Sequence, residues 1–426
     1  MGLSPAGLGT RFWLVIVATF LGFLGIGTVL PQLAPHVRHD LGGSDQTVGF
    51  VIGIFSFVAL AARFISGPLA DRRGRKTAFV AGLVSCALAG TCYLLPLGIA
   101  GLYIGRMLQG FGEACLYTGA AAWAVEVAGI HRSAQALGYV SCGIWGGISA
   151  GPLVGAWLGS FHRAAGMQVL AALAACVFLS RLTEDYQPAL HTPKRSWLPL
   201  HMLGPGIAIG AVNVQYPVVT GFLILHLANH GNSGPAAFSA YALMILLTRF
   251  FLGGLPDRIA PSITFYGGIA CMTVGLLAIA AGPAPFWAVV SAAVLGFGMS
   301  FPWASVASSV VRRTSADTRG SALGVLTAFY DLFVGVSSFG AGALASKYGY
   351  QAAFVLAALA LVVAAIAGRW VFFTDYVKDE NRCSADSDRS SRAHGVRVPA
   401  GAAVRVESRG AEPGVPVARS ARGGSE

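Results

Sequence analysis

The sequence predicts an all-α integral membrane protein, with twelve transmembrane helices in two pseudo-symmetric six-helix halves. Three observations predict it. Of 426 residues, 55% are hydrophobic and only 11% are charged, and the mean hydropathy is +0.66. Soluble domains carry about 25% charged residues, so this chain lacks the polar surface a soluble particle of its size needs. Second, the apolar residues gather into twelve runs of membrane-spanning length. Third, landmarks in the first half of the chain recur in the second at a constant offset of 186 residues.

A span needs about 20 mostly apolar residues. The runs lie near 12–34, 46–69, 78–98, 101–127, 134–159, 165–181, 202–228, 236–255, 262–282, 285–310, 319–345 and 351–373. The first is too long for the apolar core of a secretory leader and is taken as a retained span. The longest link, after Arg181, is polar and Pro-bearing and separates six spans from six. The organisation expected is therefore an N-terminal half over 1–181, a linker over 182–201, a C-terminal half over 202–374, and a tail over 375–426. The tail is rich in Ser, Arg, Gly and Asp and poor in apolar residues, a composition that cannot bury a core.

The net charge of +11 is a matter of topology. With a cytoplasmic N-terminus, thirteen Lys and Arg residues between Arg11 and Arg319 fall on the cytoplasmic side. Only Arg38, Arg163 and Lys347 fall outside. Basic residues collect in cytoplasmic loops, so the bias places both termini in the cytoplasm. It accounts for the basic balance without a nucleic-acid partner. The expected location is the bacterial cytoplasmic (inner) membrane, with the lipid bilayer as solvent. Six of seven Cys lie inside apolar runs, with no CxxC pair or zinc spacing, and read as packing residues. No metal or cofactor motif is found. His36 to Asp40, "HVRHD", reads as a solvated outer loop.

The repeat is specific. "RFISGPLADR" from Arg63 is answered by "RFFLGGLPDR" from Arg249, and Asp71 by Asp257; Pro31 is answered by Pro217, Gly110–Gly112 by Gly296–Gly298, and Ala136–Gly138 by Ala322–Gly324. One offset through several spans marks a duplicated six-helix unit. Parallel halves of this kind hold their binding site between them, near the bilayer midplane.

Three motifs then carry a family resemblance. "GPLADRRGRK", Gly67 to Lys76, falls between spans 2 and 3; "GRMLQG", Gly105 to Gly110, in span 4; "GGISAGPLVG", Gly146 to Gly155, in span 5. Together they resemble the major facilitator superfamily, over residues 1 to about 374. "GFGMSFP" and "FYDLFVGV" resemble its bacterial drug and metabolite efflux members. The resemblance implies a secondary transporter working by alternating access. It implies that Asp71 latches the cytoplasmic side against the start of span 11, and symmetry extends this to Asp257 and Arg258. Gly67 is expected to permit close helix packing and Gly74 a tight turn. Arg72, Arg73, Arg75 and Lys76 are expected to hold the loop at the anionic inner leaflet. The span 5 residues Gly147, Gly151, Pro152 and Gly155 form a face without side-chain bulk. The resemblance links that face to exporters that work as antiporters.

Candidate site residues follow from the cost of burying charge in a membrane. Arg106, Glu113 and Asp331 lie deep within spans and are the proton-coupling candidates. Removal from water favours a carboxyl's neutral form, so such groups can carry a proton. Arg106, Gln109, Glu113 and Tyr117 form one polar stripe on span 4. Arg106 and Glu113, about 10 Å apart by helix rise, are expected to share a water or substrate rather than pair directly. Arg63 and Arg249, nearer the span ends, are expected to reach to the interface. Cavity candidates are Gln32, Gln109, Tyr117, Trp123, Trp145, Asn213, Gln215, Tyr216, Trp303 and Tyr330. They suit an amphipathic or aromatic small molecule. No deep nucleophile–base set appears, so no enzyme is expected. No GxxxxGK[ST] motif occurs, so an ion gradient, that of protons, would supply the energy. The expected activity is substrate:proton antiport by a monomer. The alternatives are proton-coupled import of a metabolite and a transporter-like sensor.

Overall fold

The structure is a computed structural model that describes residues 8–129, 132–184, 202–231, 233–252, 255–314 and 319–373. The linker beyond Glu184 and the tail lie outside them. Every regular element among the described residues is helical. Nine spans are single helices: Asp45–Arg73 (span 2), Arg75–Leu94 (3), Gly98–Ala128 (4), Ser133–Leu158 (5), Phe161–Ser180 (6), Gly234–Leu252 (8), Pro261–Ala280 (9), Arg319–Tyr348 (11) and Tyr350–Phe372 (12). A short helix, Leu255–Arg258, precedes span 9.

The other three spans are broken. Span 1 runs Thr10–Thr28 and Leu30–Pro35, ending in a π-helical turn, His36–Asp40; span 7 runs Leu203–Asn213 and Gln215–Asn229; span 10 runs Pro285–Met299 and Pro302–Arg313. Each break precedes a proline, Pro31, Pro217 or Pro302, which has no N–H to give the helical ladder. At the first two breaks the chain tightens, with Gln32 N–H bonding the Val29 carbonyl and Val214 N–H the Ala211 carbonyl. Pro31 and Pro217 are repeat mates, so the duplication carries the break with it.

Eleven of these elements are long and apolar enough to cross a membrane. The exception is span 4, which at 31 residues is long enough but carries Arg106, Gln109 and Glu113. Its polar residues turn inward, while Ile104 and Met107 are exposed on its outer face. Gly82 of span 3 approaches span 4 so closely that an added Cβ would lie 2.7 Å from the Gly112 carbonyl, and at Gly119 it would lie 2.6 Å from the Phe79 nitrogen. Small residues allow this proximity where no hydrophobic drive exists between helices in lipid. Large apolar side chains such as Trp157, Phe250 and Ile366 point outward, as a lipid-facing belt requires.

Glycines also report how the two halves meet. Toward the end of the molecule that carries Asp45 and Tyr350, spans 2 and 11 are in backbone contact. A Cβ on Gly49 would lie 2.5 Å from the Ser338 carbonyl, one on Gly342 2.9 Å from the Asp45 carbonyl, and one on Gly53 3.1 Å from the Gly335 carbonyl. Tyr350 Oη donates to Asp45 Oδ1 at 3.1 Å, and Arg38 Nε pairs with the same oxygen at 3.1 Å. Toward the other, basic end, Gly67, Gly138 and Gly324 have nothing within 4 Å. Among the described residues the halves are thus sealed at the Asp45 end and parted at the basic end. This corrects the expectation for Gly67: it makes no close helix contact here, because its end of span 2 is the open one.

The loop after span 2 departs from expectation too. Gly74 adopts φ 102°, a conformation L side chains rarely hold. This directs the next two backbone N–H groups at Glu184: Arg75 N–H lies 2.6 Å from Oε1 and Lys76 N–H 3.1 Å from Oε2. The carboxylate caps the positive end of span 3. Arg75 pairs with Glu126, and Lys76 Nζ donates to the Leu182 carbonyl at 2.5 Å. These two residues therefore bind the chain rather than face a leaflet, while Arg72 and Arg73 are exposed. His36–Asp40 is a π-helical turn that is only partly solvated: His39 and Asp40 are exposed, His36 and Val37 buried. His36 is buried, stacks on Phe161 at 4.0 Å and bonds Asp40 at 2.6 Å.

Gly82→Ala and Gly49→Ala should each destabilise the purified protein by about 1–3 kcal/mol through overpacking, read as a lowered Tm. Gly138→Ala should leave Tm within about a degree, since surface changes usually fall within about 0.5 kcal/mol.

Candidate functional site

Where the halves part, a cavity runs between spans 1, 2, 4, 5, 7, 10 and 11. Its floor holds three ionisable side chains from three spans. Arg63 Nε of span 2 meets Asp331 Oδ2 of span 11 at 2.7 Å, and Arg63 Nη2 meets Glu113 Oε2 of span 4 at 3.4 Å. All three line the cavity. Arg63 and Glu113 side chains are each 14% exposed and Asp331 only 3%. Arg63 lies over the Tyr117 ring at 5.2 Å. An aromatic wall surrounds the triad: Trp145 and Trp303 at 6.1 Å, Trp303 and Tyr330 at 6.3 Å, Tyr216 and Tyr330 at 6.4 Å. Phe23, Ile26, Leu30 and Phe55 supply apolar surface, and Ser56, Ser141 and Thr327 add hydroxyls.

The expectation that Arg63 reaches the interface is overturned. A run of apolar residues flanked by basic ones hides whether its last arginine turns outward or inward; the tertiary fold decides it. Two acids from other spans hold it inward. The supposed span 4 stripe divides. Glu113 and Tyr117 face the cavity, whereas Arg106 and Gln109 turn into the N-terminal helices. Arg106 donates to the Val51 and Ile52 carbonyls at 3.1 and 3.3 Å and to Gln109 Oε1 at 2.5 Å. Gln109 Nε2 donates to Gln168 Oε1 at 3.0 Å, and Gln168 to the Cys86 carbonyl at 2.8 Å. The Phe55 ring, 4.3 Å from the Arg106 guanidinium, stands between it and the cavity. Arg106 therefore clamps spans 2 and 4, sharing nothing with Glu113. Neither it nor Gln109 lines the cavity.

Four further cavity candidates lie elsewhere. Trp123 is fully buried against Phe79. Gln32, at the span 1 break, reaches the Gly155 carbonyl at 3.4 Å. Asn213, at the span 7 break, bonds the Ile209 carbonyl at 2.7 Å, leaving its Oδ1 without a partner. Gln215 bonds Tyr241 at 3.3 Å and Met299 at 3.1 Å. Polar groups at these breaks serve the backbone and its neighbours. Tyr117, Trp145, Tyr216, Trp303 and Tyr330 do line the cavity.

The span 5 glycine face packs on span 1 within the same half. A Cβ on Gly147 would lie 2.5 Å from the Phe20 carbonyl and one on Gly151 2.6 Å from the Leu24 carbonyl. Gly155 abuts Thr28, and Gly27 sits 3.1 Å from Pro152 by the same measure. Asp71 is exposed at the open end. The side chains of Asp257 and of the first residues of span 11 lie outside the described ones; Arg258 is exposed.

Comparison with known proteins settles the kinship of this arrangement. The family model described as Major Facilitator Superfamily matches residues 15–229 and again 206–405. The chain belongs to the major facilitator superfamily (MFS). Its MFS relatives include an uncharacterized MFS-type transporter of Salmonella typhimurium, 28% identical over 373 residues, 82% of this chain and 94% of that one. Another, from Burkholderia mallei, is 27% identical over 366 residues, 81% and 88% of the two chains. Among solved structures, the nucleoside transporter NupG superposes with a TM-score of 0.71 at 15% identity, over 85% of this chain and all of that one. A POT family transporter in complex with 5-aminolevulinic acid gives 0.71 at 11% identity, over 85% and 96%. The protein is thus a multi-pass membrane transporter of the MFS kind, not an enzyme. At such identities the structures establish the MFS fold alone.

Removing Arg63 leaves two acids facing each other in a buried site. Arg63→Gln should lower stability by about 3–5 kcal/mol, as for other broken buried pairs. Adding Asp331→Asn should recover a large part of that loss. A thermal double-mutant cycle measures the coupling.

Proposed function

We propose that this protein is a proton-coupled secondary transporter of a small organic molecule, working by alternating access. The observation that carries the reading is the Arg63–Glu113–Asp331 triad, set at the meeting of the two halves. With both acids ionised it holds one net negative charge; with one proton bound it is neutral. A net charge away from water is unfavourable, so the triad has physical cause to take and release a proton as the cavity changes sides. The seal at the Asp45 end and the parting at the basic end support one access state of such a cycle.

The positive-inside bias supports placing the open, basic end in the cytoplasm of a bacterial inner membrane, with both termini there. In that frame the structure is inward-facing. Asp71, with Asp257 and Arg258, then belongs to the side that must close next, as a latch should. Both walls of the cavity come from one chain, which supports a monomer as the working unit. The span 5 motif supports export by substrate:proton antiport. In this reading the tight span 5–span 1 face keeps the N-terminal half rigid as the halves rock. Proton-linked uptake is the second reading. One observation favours it: Arg249 puts a second cation beside the cavity, suited to an anion that would bind more easily once the triad is protonated.

Comparing metabolites of cells with and without the protein identifies the compound. Its flux is then followed in proteoliposomes under an imposed pH gradient. Asp331→Asn should lose gradient-driven flux by about tenfold or more, within the range of a positioned proton-transfer group, and keep substrate counterflow. Gradient dependence that survives Asp331→Asn unchanged would refute the coupling role. The direction of flux relative to that of protons separates export from uptake.

A further inference from the structure

The duplication makes Arg249 the counterpart of Arg63, and the two have been treated differently. The contact between Arg63 and Asp331 has a repeat image, since Trp145 lies 186 residues before Asp331 and Arg249 lies 186 after Arg63. That image is present. The Arg249 guanidinium sits 4.1 Å from the centroid of Trp145, across the interface between spans 8 and 5. Glu113 has Met299 as its repeat mate, and Met299 also shares Arg249's surroundings. Around the second arginine, both carboxylates have thus been replaced by apolar side chains.

The result is a cation without an anion. Among the described residues no acid pairs with Arg249. Its Nε is buried and has no hydrogen-bond partner. An aromatic face alone is a weak substitute for a counter-ion, and an uncompensated charge inside a membrane protein is strongly unfavourable. Yet the guanidinium is not sealed away. It lines a small cavity with Trp145, Tyr216, Tyr241 and Met299, and Trp145 and Tyr216 also line the central cavity beside the triad. Arg249 does not itself line the central cavity, but the two cavities adjoin through Leu30, Trp145, Ile148 and Tyr216, so a molecule that extends past Trp145 from one into the other meets the guanidinium.

We propose that Arg249 is the substrate's anion-binding residue: the transported molecule carries a carboxylate or similar oxyanion that takes the place of the missing acids, with a planar apolar body against Trp145 and Trp303. The guanidinium fork matches such a group by paired N–H donors. Tyr216 and Tyr241 stand in the same lining, and Gln215, bonded to the Tyr241 hydroxyl, positions that side chain. The inference rests on the transport reading but not on its direction, nor on the triad's role in coupling.

The test uses the purified full-length protein in detergent, with no proton gradient, so it fails or succeeds independently of coupling. The probes are 2-naphthoate and benzoate, each against its neutral carboxamide, read by thermal shift, since a ligand stabilises the state that binds it. The carboxylates should raise Tm and the carboxamides should not. Arg249→Gln should abolish the preference, weakening carboxylate binding about tenfold or more, while Arg249→Lys should keep part of it. A second measurement needs no ligand. If Arg249 awaits an external anion, Arg249→Met should leave the empty protein as stable as the wild type or more so. A wild type that does not prefer carboxylates, a folded Arg249→Gln that still does, or a Tm lowered by several degrees in ligand-free Arg249→Met would each overturn the proposal.

Discussion

The ion pair between Arg63 and Asp331 organises the rest. It joins span 2 to span 11, so it spans the boundary between halves, and it draws Glu113 into the same cluster. A buried guanidinium must be satisfied, and two carboxylates from separate helices fix the rotation of all three spans around the cavity axis. The aromatic wall then has no freedom in where it stands. Trp303, Tyr330 and Tyr216 occupy the remaining perimeter, and the backbone contacts of Gly49, Gly53 and Gly342 complete the seal beyond.

Much of this architecture was legible in the sequence because membrane physics writes plainly. Apolar runs of spanning length, prolines at Pro31 and Pro217, and a constant repeat offset are local or periodic signals. Asp331 and Glu113, which line the cavity, stand out in the sequence because an acid within an apolar run is costly. Arg63 does not, because an arginine near a span end has two physically sound outcomes. Reaching to the interface requires only its own stem; turning inward requires acids hundreds of residues away. The repeat held the missing hint. Asp331 has Trp145 as its mate, and the paired arginines flank them both.

The misplacements follow one pattern. Gln32, Asn213 and Gln215 sit at helix breaks, where freed backbone groups and nearby hydroxyls compete for polar side chains. Arg106 and Gln109 close a hydrogen-bonded chain through Gln168 to the Cys86 carbonyl. Polarity within a span therefore announced burial with a partner, but not whether that partner was protein or cargo. Trp123 shows the converse: an aromatic near a polar stripe was core, its ring edge-on to Phe79. Periodicity assigned these residues to a face, and only the neighbouring helices told which faces line the cavity.

Glu184 has a mechanical meaning beyond its cap on span 3. By gripping the backbone of Arg75 and Lys76, with Lys76 returning to the Leu182 carbonyl, it fastens the chain leaving span 6 to the turn at the foot of span 2. The leash between the halves therefore starts at Glu184, four residues past the last residue of span 6, Ser180. Through that fastening the turn at Gly74, three residues past Asp71 of span 2, is tied to the chain end of span 6. One carboxylate thereby holds the adjoining ends of spans 2, 3 and 6 together at the basic end.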